Sequence, residues 1–238
     1  NLLVAIWFLI FSIPTFLFIQ DKKPEKGFRK HVQQSFRSIK SSFYNIRQHK
    51  SIVIFLIARL FYNDGLITIF AFGGIYAAGT LGFTFDEILI LGIVLNITAC
   101  IGSFLFGSLE DKIGVKKMLI ITLWCLFLAT LLAFLAPWSN QPKTYFWIAG
   151  CVIGLMQGPN QSGSRSLMAR LTPDDKKNEF FGFYAFSGKA TAFIGPLCFG
   201  ILTRIFHTQQ AGLVIVFLFF LIGIIIFRKL VIEDKYRS

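Results

Sequence analysis

Gly107-Ser108-Leu109-Glu110-Asp111-Lys112-Ile113-Gly114-Val115-Lys116-Lys117 is the stretch on which the fold turns. Five of its eleven residues are charged, yet it stands between two almost wholly apolar runs, 88–109 and 117–137. A bilayer core about 30 Å thick is crossed by about 20 apolar residues of helix, so the stretch reads as a tight, water-facing turn between two membrane spans.

Working outward, five more runs meet the same length, at approximately 2–19, 52–79, 144–165, 180–206 and 211–230, giving seven spans. Backbone polar groups in lipid have to bond within their own segment or in a closed barrel. No alternating ten-residue strands appear, so the class is an all-α membrane protein. Composition agrees: 55% of the 238 residues are hydrophobic and 15% charged, where a soluble domain carries roughly a quarter charged. Cys100, Cys125, Cys151 and Cys198 lie inside apolar runs without metal or disulfide spacing, and read as packing residues. Residues 2–19 lack a basic leader and a small-residue cleavage site, and are expected to be a true span rather than a signal peptide.

Lys and Arg accumulate on the cytoplasmic side of short loops. Twenty of the twenty-four fall in 20–50, 109–117, 165–179 and 228–238, while the intervening connections hold only Lys143 and Arg204. The predicted topology is therefore N-terminus outside and C-terminus cytoplasmic, with Trp138, Tyr145 and Trp147 at the outer interface. The formal net charge of +12 then marks the inner membrane face, with lipid and not nucleic acid as its partner. Within 20–50, Phe28, Val32, Phe36, Ile39, Phe43 and Ile46 recur at helical spacing among cations, which predicts an amphipathic helix lying on the inner surface.

With this topology, Gly107 to Lys117 resembles the G-x-x-x-D-[RK]-x-G-x-[RK]-[RK] loop of the major facilitator superfamily. The resemblance implies a gating latch formed by Gly107, Asp111, Lys112, Gly114, Lys116 and Lys117. The glycines would permit a tight turn with close helix approach. Asp111 would accept from a helix N-terminus, and the cations would meet carbonyl ends or an acid. The superfamily has twelve spans in two halves, so the chain is similar to its C-terminal half, spans six to twelve. Residues 1–19 correspond to span six, 20–50 to the basic linker and 51–238 to a six-helix bundle. An N-terminal half of the same protein is the implied partner.

Two further stretches sharpen the resemblance. Arg59-Leu-Phe-Tyr62-Asn63-Asp64-Gly65, running on through Phe72-Gly73-Gly74-Ile-Tyr76, is one. The other is Gly158-Pro159-Asn160-Gln161-Ser-Gly-Ser164-Arg165-Ser166, followed by Phe180-Phe-Gly182 and Ser187-Gly188-Lys189. Together they look similar to the vacuole-effluxer-like branch, whose fungal members are implicated in amino-acid export from the vacuole.

The residues themselves are unusual for a span. A charge at the bilayer centre costs about 2.5–3.5 kcal/mol on insertion scales, so it faces a partner or an aqueous cavity. Arg59, Lys189 and Asp64 fall at depths of roughly 12, 14 and 20 Å at 1.5 Å per residue, compatible with one shared interior. Asp64 can carry a proton or pair with either cation, and the cations can bind a solute carboxylate. Arg165 lies near its predicted cytoplasmic end and can snorkel. Gln157, Asn160 and Gln161 suit either solute or interhelical hydrogen bonding, and Tyr62 and Asn63 complete the candidate set. Gly150, Gly154 and Gly158 line one helix face and read as close packing, while Pro159 and Gly195-Pro196 permit bends.

The expected function is a secondary transporter, effluxing small polar solutes such as amino acids by alternating access, with proton coupling through Asp64. The expected location is a bacterial cytoplasmic (inner) membrane. A non-transporting sensor or assembly subunit with the same fold is the alternative. No metal-spaced cluster, nucleophile elbow or Walker motif is present in the sequence, so no cofactor, metal or catalytic residue is expected and the chain is not read as an enzyme.

Overall fold

The computed structural model describes residues 2–18 and 46–230. The expected amphipathic helix lies largely outside the described residues. The chain forms two units, 1–44 and 45–238. The first contains α1 (Leu2–Phe18), an apolar helix with Pro14 inside it. Its Ser12 hydroxyl bonds back to the Phe8 carbonyl, and the Trp7 and Phe11 rings lie 4.6 Å apart.

The second unit holds α2 (Lys50–Leu81), α3 (Phe85–Ile113), α4 (Val115–Leu135), α5 (Pro142–Leu171), α6 (Lys177–Lys189), α7 (Ile194–Phe206) and α8 (Gln209–Arg228). Short 3₁₀ turns at Ala136–Trp138 and Asp174–Lys176 complete its described elements. All the described secondary structure is helical. Four helices, α2, α3, α4 (counted with its 3₁₀ extension) and α8, are long and apolar enough to cross a membrane, as is the segment 174–206 taken whole. The 17-residue α1 is shorter. The 30-residue α5 has the length, but Gln157, Asn160, Gln161 and Arg165 dilute its apolarity.

Two differences from the sequence expectation have physical causes. The run 180–206 is not one helix: it breaks at 190–193, between α6 and α7. Hydropathy alone cannot register a break whose residues, Ala-Thr-Ala-Phe, are themselves mostly apolar. The charged stretch 107–117 is also not a loop. Helix α3 runs to Ile113, and Gly114 alone makes the turn, with φ 84° and ψ 148°, a conformation open in practice to glycine. Gly107 is helical, and nothing among the described residues lies within 4 Å of where its Cβ would stand, so it makes no close approach to them.

Helix α5 packs along both α3 and α4, and α2 along α8. Phe55, Tyr62, Tyr76, Met118, Leu119, Leu123, Leu126, Phe220 and Phe227 fill the buried centre. Helix α3 buries only Leu91 and Gly102 and turns Ile93, Ile97, Phe104 and Leu105 outward. The α3–α5 seam is built on glycine. A Cβ at Gly102 would overlap the Leu155 carbonyl, one at Gly154 the Thr98 hydroxyl, and one at Gly158 the Ser103 hydroxyl. Small residues let two backbones approach in a solvent that gives helices no hydrophobic reason to associate.

Helix ends are fixed locally. Gly82 closes α2 in the left-handed region at φ 66°. Thr84 and Glu87 form a reciprocal capping box at the start of α3. Glu87 also receives Lys143 at 2.8 Å, tying the N-termini of α3 and α5 together.

Candidate functional site

Helix α2 carries the polar set, and its pitch decides where each member points. Arg59, Tyr62 and Asn63, at i, i+3 and i+4, share a face that meets α5 and α6. Asp64, one residue on, is turned by about 100° and meets α7 instead.

On the first face lies a cavity of about 100 Å³. Helix α2 contributes Arg59, Tyr62 and Asn63, and α6 contributes Tyr184. Helix α5 contributes Asn160, Gln161, Ser164 and Arg165. Tyr62, Asn160, Ser164 and Tyr184 are buried and form its floor, while Gln161 and Arg165 are exposed at its mouth.

The floor is held by a chain of hydrogen bonds. Ser164 Oγ donates to the Asn160 carbonyl at 2.6 Å, which uses its only hydrogen. In the 2.8 Å contact between Tyr62 and Ser164 the tyrosine hydroxyl is therefore the donor. Asn160 Nδ2 donates to Thr122 Oγ1 at 3.2 Å, extending the chain to α4. Tyr62, Ser164, Asn160 and Thr122 each make at least one hydrogen bond within the chain, as burial requires.

Arg59 Nη1 donates to the Tyr184 carbonyl at 2.9 Å and to Ser187 Oγ at 3.1 Å, and the guanidinium lies 3.7 Å from the Tyr184 ring centroid. Its charge is held by a carbonyl, a hydroxyl and a π face, with no carboxylate in contact among the described residues. A Cβ at Gly188 would stand 2.5 Å from Nη1, so a glycine there makes room for the side chain. Asn63 Nδ2 donates to the Gly188 carbonyl at 3.0 Å.

Asp64 pairs with neither Arg59 nor Lys189. Its Oδ2 accepts the Gly195 N–H at 2.8 Å, in the first turn of α7, where helix donors lack intrahelical partners. Its Oδ1 is buried without a hydrogen-bond partner among the described residues. Lys189 ends α6 as an exposed residue outside the cavity. Gln157 is half-buried and also lies outside it. The shared interior suggested by depth thus divides: Arg59 lines the cavity, Asp64 holds the broken helix, and Lys189 faces outward.

Of the residues in the charged turn, Asp111, Lys112 and Lys117 are exposed. Lys116 bonds to the Leu230 carbonyl, just beyond α8. The acid that reaches a neighbour is Glu110, which accepts from Ser166 Oγ at 2.5 Å and lies 3.7 Å from Arg170 Nη2. Sequence reasoning passed over Glu110, as it did Tyr184 in the cavity. Both depend on which helix packs opposite, for which a single sequence carries no signal. Arg165, which its position near the helix end would let snorkel to the interface, instead borders the cavity.

The chain that carries this polar cavity is similar to several known proteins. It is 29% identical over 224 residues to the MFS-type transporter YxiO of Bacillus subtilis, covering 94% of this chain and 51% of that protein. Autophagy-related protein 22 of Kluyveromyces lactis is 24% identical over 254 residues, covering 100% of this chain and 52% of the relative. The protein of the same name from Cryptococcus neoformans is 23% identical over 253 residues, covering 99% and 44%. The chain therefore spans about half the length of these relatives. The family described as Vacuole effluxer Atg22 like matches residues 2–237, so nearly the whole chain is accounted for, and this integral membrane chain belongs to that family.

Proposed function

We propose that the protein is a secondary active transporter that exports small polar solutes such as amino acids by alternating access, and that this chain supplies one wall of its central site. The observation that carries the reading is the polar cavity between α2, α5 and α6, sealed below by the Tyr62–Ser164–Asn160–Thr122 chain. Arg59, Tyr62, Asn63, Asn160 and Gln161 are its solute-facing groups, and Gln157, one turn earlier on α5, extends the same path. The opposite wall comes from an N-terminal half of the same protein. A discontinuous helix beside a solute site is a recurrent feature of transporters that rock between two states, and the break at 190–193 supports the comparison.

Asp64 is the proton-coupling group in this scheme, and Lys189, outside the cavity in this structure, is its second candidate cation for the solute. Asp64 has one carboxylate oxygen engaged and one buried without a partner among the described residues, so a proton on Oδ1 leaves the Gly195 bond intact. The 107–117 segment, from the helical Gly107 to Lys117, acts as the latch: Lys116 reaches the end of α8, while Asp111, Lys112 and Lys117 remain available to the other half around the turn at Gly114. The Lys and Arg distribution supports a cytoplasmic latch and C-terminus, and the membrane in this scheme is a bacterial cytoplasmic one.

Uptake into vesicles containing the full-length protein, measured across a panel of amino acids with and without a pH gradient, tests the scheme. Gradient-driven flux that disappears in Asp64→Asn while downhill exchange survives is the expected outcome. Equal gradient-driven flux in Asp64→Asn would remove the coupling role. Absence of flux and binding for every solute would instead favour a sensor or assembly subunit.

A further inference from the structure

The cavity has a chemical bias that narrows its ligand. It is bordered by two arginines, Arg59 and Arg165, and by amides and hydroxyls, but by no carboxylate among the described residues. Asp64, the acid nearest in sequence, is turned away to Gly195. Arg59 uses Nη1 for its protein contacts, leaving its other guanidinium nitrogens without a hydrogen-bond partner among the described residues. Arg165 has neither an ion pair nor a hydrogen bond among them, although other cations here do find partners: Arg170 meets Glu110 and Lys143 meets Glu87.

We infer that this wall is an oxyanion site, in which Arg59 and Arg165 together receive the carboxylate of the transported solute. The inference deepens the transport reading and rests on it. Guanidinium groups present donors in a planar fork matched to a carboxylate, and they hold their charge at any physiological pH. A low-dielectric surround strengthens such contacts, and two cations facing one cavity without a counter-ion favour an anionic occupant. The Tyr184 ring and the carbonyl beneath Arg59 fix its guanidinium before the ligand arrives, which lowers the ordering cost of binding. The ammonium of an amino acid finds no acid on this wall, so recognition here is expected to depend on the carboxylate and to tolerate loss of the amine.

The experiment is thermal protection of the purified full-length protein by each member of matched series: an amino acid, its carboxamide and its deaminated acid, for example alanine, alaninamide and propionate. Amino acids of every side-chain class are included, with inorganic phosphate and vesicles rich in anionic lipid as separate arms. The expected result is that acids protect with or without the amine and amides do not. Apparent affinity should fall at least tenfold in Arg59→Gln and in Arg165→Gln, with partial recovery in Arg59→Lys. Arg165→Gln is the decisive variant, because the side chain is exposed and holds no partner among the described residues whose loss would unfold the helix. Arg204→Gln, an exposed cation outside the cavity, should change nothing.

Amides that protect as well as their parent acids, or an Arg165→Gln affinity within twofold of the parent, would overturn the inference while leaving transport intact. Protection by phosphate alone or by anionic lipid alone would overturn it too, since the site would then not serve a solute carboxylate. If flux is present in vesicles and no carboxylate protects, the transport reading stands and this one falls. If neither flux nor protection is found, both fall.

Discussion

At the scale of single residues, the seam between α3 and α5 makes the sharpest demand. Gly102 lies against the Leu155 backbone carbonyl, and Gly154 against Thr98 and the Leu95 carbonyl. A methyl group added at either meets backbone, which cannot rotate away. Overpacking of this kind costs about 1–3 kcal/mol, against a helix-propensity gain of about 1 kcal/mol for replacing glycine with alanine. Gly102→Ala and Gly154→Ala should therefore lower the thermal midpoint of the purified protein. Gly107→Ala, with open space around it in the same helix, should hold it or raise it. Equal midpoints for all three would show that the seam is looser than these distances indicate. The contrast separates a packing role, which Gly102 and Gly154 have, from the family-motif role suggested for Gly107, which must then involve something other than contact with the described residues.

At the scale of elements, the broken helix is organised by its neighbour. Helix α2 reaches both sides of the break: Arg59 and Asn63 donate to carbonyls of α6, at Tyr184 and Gly188, and Asp64 accepts the N–H of Gly195 on α7. Donors thus face the C-terminal, electronegative end of one half-helix, and a carboxylate faces the electropositive start of the other. The Asp64 contact is a helix cap supplied from another helix, and loss of a side-chain cap costs about 1 kcal/mol. Asparagine retains an acceptor oxygen, whereas leucine has none. Amide hydrogen exchange at Gly195 and Leu197 should accordingly be several-fold faster in Asp64→Leu than in Asp64→Asn, and near parental in the latter. If the two variants exchange alike, Asp64 does not cap α7. The apolar helices were legible in the sequence because hydropathy over some 20 residues is a property of one segment. Arg59, Tyr62 and Asn63 were each legible as polar residues unusual in a span, but depth grouped Arg59 with Asp64 and Lys189 rather than with the two residues that share its face. The partner of Asp64 was not: depth along a helix says nothing of azimuth, and one residue of rotation separates the cavity from the break. Nor was the break itself legible beyond the hint of Gly195-Pro196, since its stability depends on polar groups from α2.

At the scale of the whole molecule, the path of α5 decides where the site lies, because it carries half the cavity and is the least apolar long helix in the bundle. Its polar residues do not argue against a span. Asn160 and Ser164 are buried with protein partners, and Gly150, Gly154 and Gly158 are pressed against α3, so much of what lowers its hydropathy never meets lipid. Thirty residues of helix extend about 45 Å, enough to pass a core of about 30 Å. Its two ends should therefore lie in different compartments. Asn140, before its start, is exposed beside a connection whose only cation is Lys143, and Asp175, after its end, is exposed between Arg170 and Lys177. The positive-inside rule places the first outside and the second in the cytoplasm. With Cys100, Cys125, Cys151 and Cys198 replaced by serine or alanine, a membrane-impermeant thiol reagent applied to intact cells should label Asn140→Cys and spare Asp175→Cys. Inside-out vesicles should give the reverse pattern. Labelling of both positions from one side would mean that α5 does not cross, and the cavity it forms with α2 and α6 would lose its place in the membrane. Labelling of the two in the opposite sense would keep the span and invert the molecule, moving the 107–117 latch away from the cytoplasm.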